Sequence, residues 1–248
     1  MPSKPLSALV LAAGKGTRMQ SDLAKVLHPL CGKPLLAYCL EVAEAVGAER
    51  IAVVIGYQAE AVRQACAGST AVFVEQREQL GTGHAVLQAK EIFQGYEGNI
   101  LILCGDVPLL RAETLNRLID CHSSVQAVVT VMTVVLKDPG NYGRIVKGAE
   151  GEIRKIVEAK DASAEERAIG EINTGIYCVD SRFLFHAVSR ITNHNAQNEY
   201  YLTDIMEIAR QDGLKTMAFV ASDPLEVMGI NTPAELELAA QIKMSFGT

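Results

Sequence analysis

The chain has 248 residues, 49% of them hydrophobic and 21% charged, with a formal net charge of −6 at pH 7. That length is enough for one large α/β domain, or a domain with a small lobe, around a sizeable core. The acidic balance argues against a nucleic-acid partner, whose binder would be strongly basic, so any phosphate recognition must rest on locally placed cations. The six cysteines are scattered without a C-x-x-C pair and read as reduced, mostly buried thiols of a cytoplasmic protein. The N-terminal apolar stretch is too short for a signal segment, and nothing approaches transmembrane length, so no membrane role is expected.

A strand is predicted near residues 7–12, where Leu9, Val10 and Leu11 run into Ala12-Ala13-Gly14-Lys15-Gly16-Thr17-Arg18-Met19, with Lys25 beyond. A turn that packs glycines and cations leaves backbone N–H groups uncovered and adds fixed positive charge, as a polyphosphate requires. The spacing is not that of a P-loop. The dinucleotide fingerprint G-x-G-x-x-G fails because Met19 holds its third glycine slot, which removes an NAD-dependent dehydrogenase. What remains, G-x-G-T-R followed by Lys25, resembles the triphosphate loop of sugar nucleotidyltransferases.

A helix near 34–46, a strand near 51–55, a helix near 58–67 and a strand near 71–75 come next. The run Glu75-Gln76-Arg77-Glu78-Gln79-Leu80-Gly81-Thr82-Gly83-His84-Ala85 leads into a helix near 82–92. The Gln76 amide carries a donor and an acceptor and so can pair with the edge of a base. Gly81 and Gly83 allow close backbone approach to a flat ligand, Thr82 is also a candidate N-cap, and His84 reads as structural. A strand near 99–103 ends at Cys104-Gly105-Asp106-Val107-Pro108, ahead of a helix near 111–121. A carboxylate at the carboxyl end of a central strand is the usual mount for a hard cation that bridges phosphates. The alternative, a turn or helix cap, fits less well with a helix that begins well downstream.

The runs 51–55 and 100–103 lack period-2 alternation, as do strands buried on both faces of a parallel sheet. Strand–helix alternation with short links therefore predicts an α/β fold with a Rossmann-like doubly wound, mostly parallel sheet. The rhythm changes after residue 125: strands are predicted over 125–136, 144–146, 152–158 and 172–179. Helices near 181–190 and 199–212, a strand at 215–220 and a closing helix from 233 complete the chain. The expected layout is a single domain. Residues 1–125 form a nucleotide-binding half, 126–232 a half that makes the sheet mixed and adds a small β-rich sugar-binding lobe, and 233–248 a C-terminal helix.

A sugar must be held by acceptors and amides aimed at its hydroxyls. Glu158 and Asn173 suit that task, and the Gly143 N–H suits an acyl carbonyl. Asn198 is a candidate N-cap for the helix at 199–212, with Leu202, Ile205 and Met206 as core and one of Tyr200 or Tyr201 at the sugar pocket. Asn231 reads equally as a cap for the last helix, supported by Pro233 near its start, and as a neutral oxygen donor to a metal opposite Asp106.

Together the motifs L-A-A-G-K-G-T-R-M, K-V-L-H, E-Q-L-G-T-G-H-A, G-D-V-P-L, Y-G-R-I, E-I-N-T-G and E-Y-Y-L-T-D occur in order between about residues 6 and 240. They resemble the N-acetylglucosamine-1-phosphate uridylyltransferases, the pyrophosphorylase half of a bacterial bifunctional enzyme. The resemblance implies that Leu11, Ala12, Ala13 and Gly14, with Gly16 in the same loop, wrap the nucleotide. It implies that Arg18 and Lys25 clamp the phosphates as catalytic residues, and that Gln76, Gly81 and Thr82 read uracil and ribose. Asp106 and Asn231 would hold Mg²⁺, and Gly143, Glu158, Asn173 and Tyr201 would bind the N-acetyl sugar. Cys104 stands where some members carry Tyr, and Ala159 where His or Glu is common.

The implied reaction joins UTP and N-acetylglucosamine 1-phosphate into UDP-N-acetylglucosamine and pyrophosphate. No catalytic base is required, because a sugar phosphate, with a second pKa near ~6 by analogy with phosphoserine, is mostly deprotonated at neutral pH. The sequence ends at Thr248 without hexapeptide repeats, so no left-handed β-helix and no acetyltransferase activity are expected, and the oligomeric state is left open. The alternatives are a relative that uses another sugar, dTTP or CTP, and a non-catalytic nucleotide-sugar sensor. The presence of Arg18, Lys25, Asp106 and Asn231 together speaks against the sensor.

Overall fold

The computed structural model describes residues 4–245. β1 (Leu6–Ala12) enters the glycine turn, a 3-10 turn over Thr17–Met19 and another over Lys25–Leu27, and then a small hairpin of β2 (Pro29–Leu30) and β3 (Lys33–Pro34). α1 (Leu35–Ala45), β4 (Ile51–Ile55), α2 (Ala59–Ala65), β5 (Val72–Glu75), α3 (Thr82–Gln88) and β6 (Asn99–Cys104) continue the alternation. α4 (Ala112–Val125) and β7 (Val129–Val135) precede the hairpin of β8 (Arg144–Lys147) and β9 (Ile153–Val157). A one-turn α5 (Ala164–Arg167), β10 (Glu171–Asp180), α6 (Ser181–Val188), α7 (Asp204–Gln211), β11 (Thr216–Val220), a 3-10 turn at Pro224–Val227 and α8 (Pro233–Ser245) follow.

Among the described residues the main sheet has nine strands, with the spatial order β11-β7-β10-β6-β1-β4-β5 and the β8–β9 hairpin attached to β10. β1, β4, β5 and β6 pair in parallel, as expected of apolar strands joined by helical crossovers. β10 runs antiparallel to both β6 and β7, which makes the sheet mixed. Alternate β1 residues serve opposite faces: Ala8, Val10 and Ala12 pack towards α1, α2 and α4, and Leu9 packs towards α3, α6 and α7. Helices thus cover both faces, the doubly wound arrangement predicted. No helix among the described residues is long and apolar enough to cross a membrane.

Two elements start several residues later than expected. The strand expected from residue 125 starts at Val129, because α4 runs on to Val125 and ends at Gln126, whose left-handed backbone (φ 52°) turns its N–H back to the His122 and Ser123 carbonyls. The helix expected at 199–212 begins at Asp204. Residues 200–202 are tied to the loop at 80–83 instead: Tyr200 N donates to Leu80 O (2.8 Å), Gly83 N to Tyr200 O (2.7 Å) and Leu202 N to Thr82 Oγ1 (3.0 Å). Asn198 is therefore no N-cap; its φ is 54°, in the left-handed region. Leu202, Ile205 and Met206 are buried as expected. The hairpin at 29–34 and α5 are too short to leave a periodic signal. The closing helix is described to Ser245, and residues 1–3 and 246–248 of the expected layout lie outside the described residues.

The contact between residues 80–83 and 200–202 also explains Gly81. Its φ is +105°, and a Cβ there would stand 2.7 Å from Tyr200 O, so protein backbone fills the side on which a side chain would project. Gly81→Ala should lower stability by about 2–4 kcal/mol, the combined scale of forbidden backbone and overpacking. Urea unfolding tests this, and a loss under about 0.5 kcal/mol would refute the packing account.

Candidate active site

β1 lies between β4 and β6, with Leu11 opposite Cys104 in the β1–β6 register. The glycine loop and the Asp106 loop therefore leave neighbouring strand ends, on the two sides of the crossover where α/β sheets open a crevice. Gly105 N donates to Leu11 O (2.9 Å) and ties the loops together. A side chain at Gly14 would meet nothing within 4 Å. At Gly16, with φ +71°, a Cβ would stand 2.5 Å from Lys25 Cβ, so this glycine gives Lys25 its path into the cleft.

Four predicted residues meet there. Lys25 Nζ forms an ion pair with Asp106 and donates to Asn231 Oδ1 (3.1 Å), and Arg18 Nη2 donates to the same Oδ1 (2.8 Å). The equal choice for Asn231 is decided by its neighbour. Thr232 Oγ1 accepts from Glu235 N (3.2 Å), while Glu235 Oε2 accepts from Thr232 N (2.9 Å) and Asn231 N (2.7 Å). That is a capping box with Pro233 at the first helical position. The helix end is satisfied without the Asn231 side chain, which turns into the cleft with its Nδ2 on Gly229 O (2.9 Å).

Asp106 and Asn231 thus present one carboxylate and one amide oxygen, already arranged about the Lys25 ammonium. Hard oxygen donors of this kind suit Mg²⁺, which takes one or two protein ligands and completes its shell with water and phosphate. A Cβ at Gly229 would meet Asn231 Nδ2 at 3.4 Å and Asp106 Oδ2 at 3.5 Å, so the glycine keeps this cradle open. Among the described residues no group of three or more His, Cys, Asp or Glu side chains could hold a metal by itself.

Gln76 is buried, and its Nε2 lies 3.0 Å from Gly81 O and 3.1 Å from His84 Nδ1. His84 is held between Gln76 and Gln88, as a structural histidine would be. Thr82 is exposed, and its hydroxyl anchors Leu202 while Gly81 holds the N-cap position of α3. Gln79 was not singled out from sequence, yet its Nε2 donates to Ala13 O (3.0 Å) and links this loop to the glycine turn.

The antiparallel course of β10 brings its first residues to the same edge as the ends of β1 and β6. Its register shifts between Asn173 and Tyr177. Within this bulge Asn173 Oδ1 accepts from Gly175 N (2.9 Å) and Thr174 Oγ1 donates to Met132 O (2.7 Å). Such irregularities re-aim side chains beside sites. Asn173 N donates to Gly143 O (2.9 Å), and a Cβ at Gly143 would stand 3.5 Å from the Glu158 carboxylate, so Gly143, Glu158 and Asn173 form one wall.

Two adjoining cavities share Arg18 and Asn141. One of about 430 Å³ includes Cys104, Asp106, Tyr142, Thr174 and Asn231, and one of about 380 Å³ includes Thr17, Glu158, Ala159, Lys160 and Gln197. Tyr201 is buried behind this wall rather than lining it: its hydroxyl donates to Asp161 Oδ2 (3.1 Å) and accepts from Gln197 Nε2 (2.9 Å). Burial raises the Glu158 carboxyl above its ordinary range, against a lowering hydrogen bond from Thr203 and with the charges of Asp204, Asp161 and Glu199 adding to the rise. Burial also pushes Asp204 up to about 6, with the Glu207 and Asp161 carboxylates contributing. Arg144 is buried with no carboxylate partner among the described residues and donates to the Tyr142, Gly140 (2.9 Å) and Arg167 (3.4 Å) carbonyls, which shapes the loop lining the larger cavity. Arginine in an otherwise apolar Arg-Ile-Val strand was the available sequence signal for it.

A doubly wound sheet whose crossover cleft gathers two cations, a carboxylate and an amide oxygen beside a polar second cavity defines a nucleotidyltransferase. The chain belongs to the family of MobA-like NTP transferase domains, which matches residues 8–171. It is 52% identical over 95% of its length to the bifunctional protein GlmU of Geobacter metallireducens, covering 50% of that protein. Identity to GlmU of Geobacillus thermodenitrificans is 46%, over 95% of this chain and 51% of that protein. The chain thus spans about half the length of the curated relatives it matches. A crystal structure of UDP-glucose pyrophosphorylase complexed with UDP-glucose superposes with a TM-score of 0.77 at 19% identity, covering 98% of this chain and 100% of that one. The shared fold is therefore that of a nucleotidyltransferase.

Two stability measurements check the local assignments. Thr232→Ala should cost about 1 kcal/mol, the usual value of an N-cap; no loss in urea unfolding would return the cap to Asn231. For Asp204, a folded pKa above its unfolded value means that its stabilising contribution is complete below about pH 4 and is lost as pH rises through about 6. Asp204→Asn should therefore be more stable than the parent at pH 8 by about 1 kcal/mol, allowing for partial solvent screening, and close to it below pH 4. A variant less stable at pH 8 would contradict that account.

Proposed function

We propose that this chain transfers the uridylyl group of UTP to N-acetylglucosamine 1-phosphate, releasing pyrophosphate. The observation that carries the reading is the meeting of Arg18, Lys25, Asp106 and Asn231 at the sheet crossover, opening directly onto the cavity walled by Glu158. Leu11–Gly14 and Gly16 supply backbone around the nucleotide, and Arg18 and Lys25 contact its phosphates. Gln76 spends its amide N–H on Gly81 O, so its oxygen is the group left for a base. A uracil or thymine N3–H meets such an acceptor. Gly81 and Thr82 flank the ribose. Gly143, Glu158 and Asn173 hold the N-acetyl sugar, and Tyr201 supports Gln197 at its edge.

The sugar-phosphate oxygen attacks the α-phosphorus in line with departing pyrophosphate. Attack needs no protein base. Mg²⁺ held by Asp106 and Asn231 would neutralise charge on the phosphates. Lys25 and Arg18 hold two polyanions together and offset the charge that builds in the transition state, so catalysis rests on positioning and electrostatics. The proposal concerns nucleotidyl transfer in the cytoplasm; acetyl transfer is assigned to none of these residues.

Pyrophosphate release, measured with Mg²⁺ while crossing UTP, dTTP and CTP with N-acetylglucosamine, glucose and glucosamine 1-phosphates, should be dominated by UTP with N-acetylglucosamine 1-phosphate and abolished by chelator. A best pair elsewhere would void the base or sugar assignment, and nucleotide binding without turnover would favour a sensor. Asp106→Ala and Lys25→Ala should each lower kcat by at least ~10², the scale for losing a main electrostatic stabiliser. A loss of less than a few-fold would remove that residue from the mechanism. Asn173→Ala should raise KM for the sugar phosphate and leave UTP affinity nearly unchanged; a large rise in the UTP dissociation constant would contradict its role.

A further inference from the structure

Asp106 and Asn231 come from chain segments far apart in sequence, and a buried carboxylate outside the cleft fixes one segment to the other. Glu226 lies in the 3-10 turn leading to Gly229 and Asn231. Its side chain is 5% exposed, a burial that a carboxylate tolerates only when partnered. Both oxygens are bound from the start of α4, the element that follows the Asp106 loop: Arg111 Nη2 pairs with Oε1, and Thr114 Oγ1 donates to Oε2 (2.5 Å). Arg111 Nη2 also lies 3.7 Å from Asp223, whose carboxylate accepts from Leu225 N (3.0 Å) at the head of the same turn. Nearer the cleft, Ile230 N donates to Asp106 O (2.8 Å), so the segments are joined at two levels.

We propose that Glu226, clamped by Arg111 and Thr114, is a positioning residue that sets the spacing of the Asp106 and Asn231 oxygens and thereby the affinity of the site for its divalent cation. The inference rests on the metal role given to those two residues in the proposed function. Among the described residues no group of three or more His, Cys, Asp or Glu side chains gathers at this point, so the site depends on how the two segments are held together. Groups that orient metal ligands in this way typically carry 10–100-fold in metal affinity. Glu226 touches neither substrate nor metal, and Thr114 acts only through it.

The test titrates Mn²⁺ into the full chain with saturating UDP-N-acetylglucosamine, reading the free-ion electron paramagnetic resonance signal. Metal-free binding of the same nucleotide sugar is measured by calorimetry in parallel. Glu226→Gln should weaken Mn²⁺ at least about tenfold and leave metal-free nucleotide-sugar binding within two-fold. Thr114→Val, which removes a single hydrogen bond and keeps the ion pair, should show the same pattern at smaller size, so the test stands even where Glu226→Gln folds poorly. Mn²⁺ affinity within two-fold of the parent in a folded variant overturns the proposal, leaving the clamp a role in stability alone. So does an equal loss of metal-free nucleotide-sugar binding. If the unmodified chain binds UDP-N-acetylglucosamine but takes up no Mn²⁺, the metal role of Asp106 and Asn231 fails first, and the clamp's role falls with it.

Discussion

Strand β1 hydrogen-bonds β4 on one side and β6 on the other, and the crossovers that follow β1 and β6 lead to opposite halves of the sheet. The strand ends must then part, and the gap between them is lined by whatever each loop carries. Here one loop carries Arg18 and Lys25 and the other Asp106, so the register that places Leu11 beside Cys104 also places an ammonium beside a carboxylate. Everything added later in the chain is arranged around that pair. The turn before α8 brings Asn231 to it, β10 brings Asn173 to the same edge, and the β8–β9 hairpin supplies the outer wall.

Like charges make the outer wall costly. Glu158, Asp161, Glu199, Asp204 and Glu207 crowd one end of the cleft, and burial discourages ionisation of Glu158 and Asp204. A fold selected for stability alone would not gather carboxylates there. In the proposed function those acceptors serve a hydroxyl-rich ring, and the cost is borne by a core whose β1, β4 and β6 side chains are almost wholly buried.

The first half of the chain was largely legible because its signals are local. Buried strands read as unbroken apolar runs, and the glycine turn and Asp106 each follow such a run directly. Roles that depend on distant neighbours were not. The Cβ side of Gly81 is filled by the Tyr200 backbone, and Asn198 looked like a cap although the helix begins only at Asp204. Asn231 could not be assigned from composition because its freedom depends on Thr232 and Glu235 satisfying the helix end. Arg144 stands in the Y-G-R-I motif and Glu226 opens the run to Asn231, yet the significance of both lies in what surrounds them after folding.

The middle of the sheet is filled by a strand that comes late. β6 ends at Cys104, while its antiparallel neighbour β10 begins only at Glu171. On a ribosome, which releases the amino end first, the strand Asn99-Ile100-Leu101-Ile102-Leu103-Cys104 must wait with one hydrogen-bonding edge unpaired and apolar side chains on both faces. An edge of that composition is a template for association with another nascent chain. Pairing β6 and β7 through β10 gives a single continuous sheet, and it leaves the edge of β6 open to association until β10 emerges.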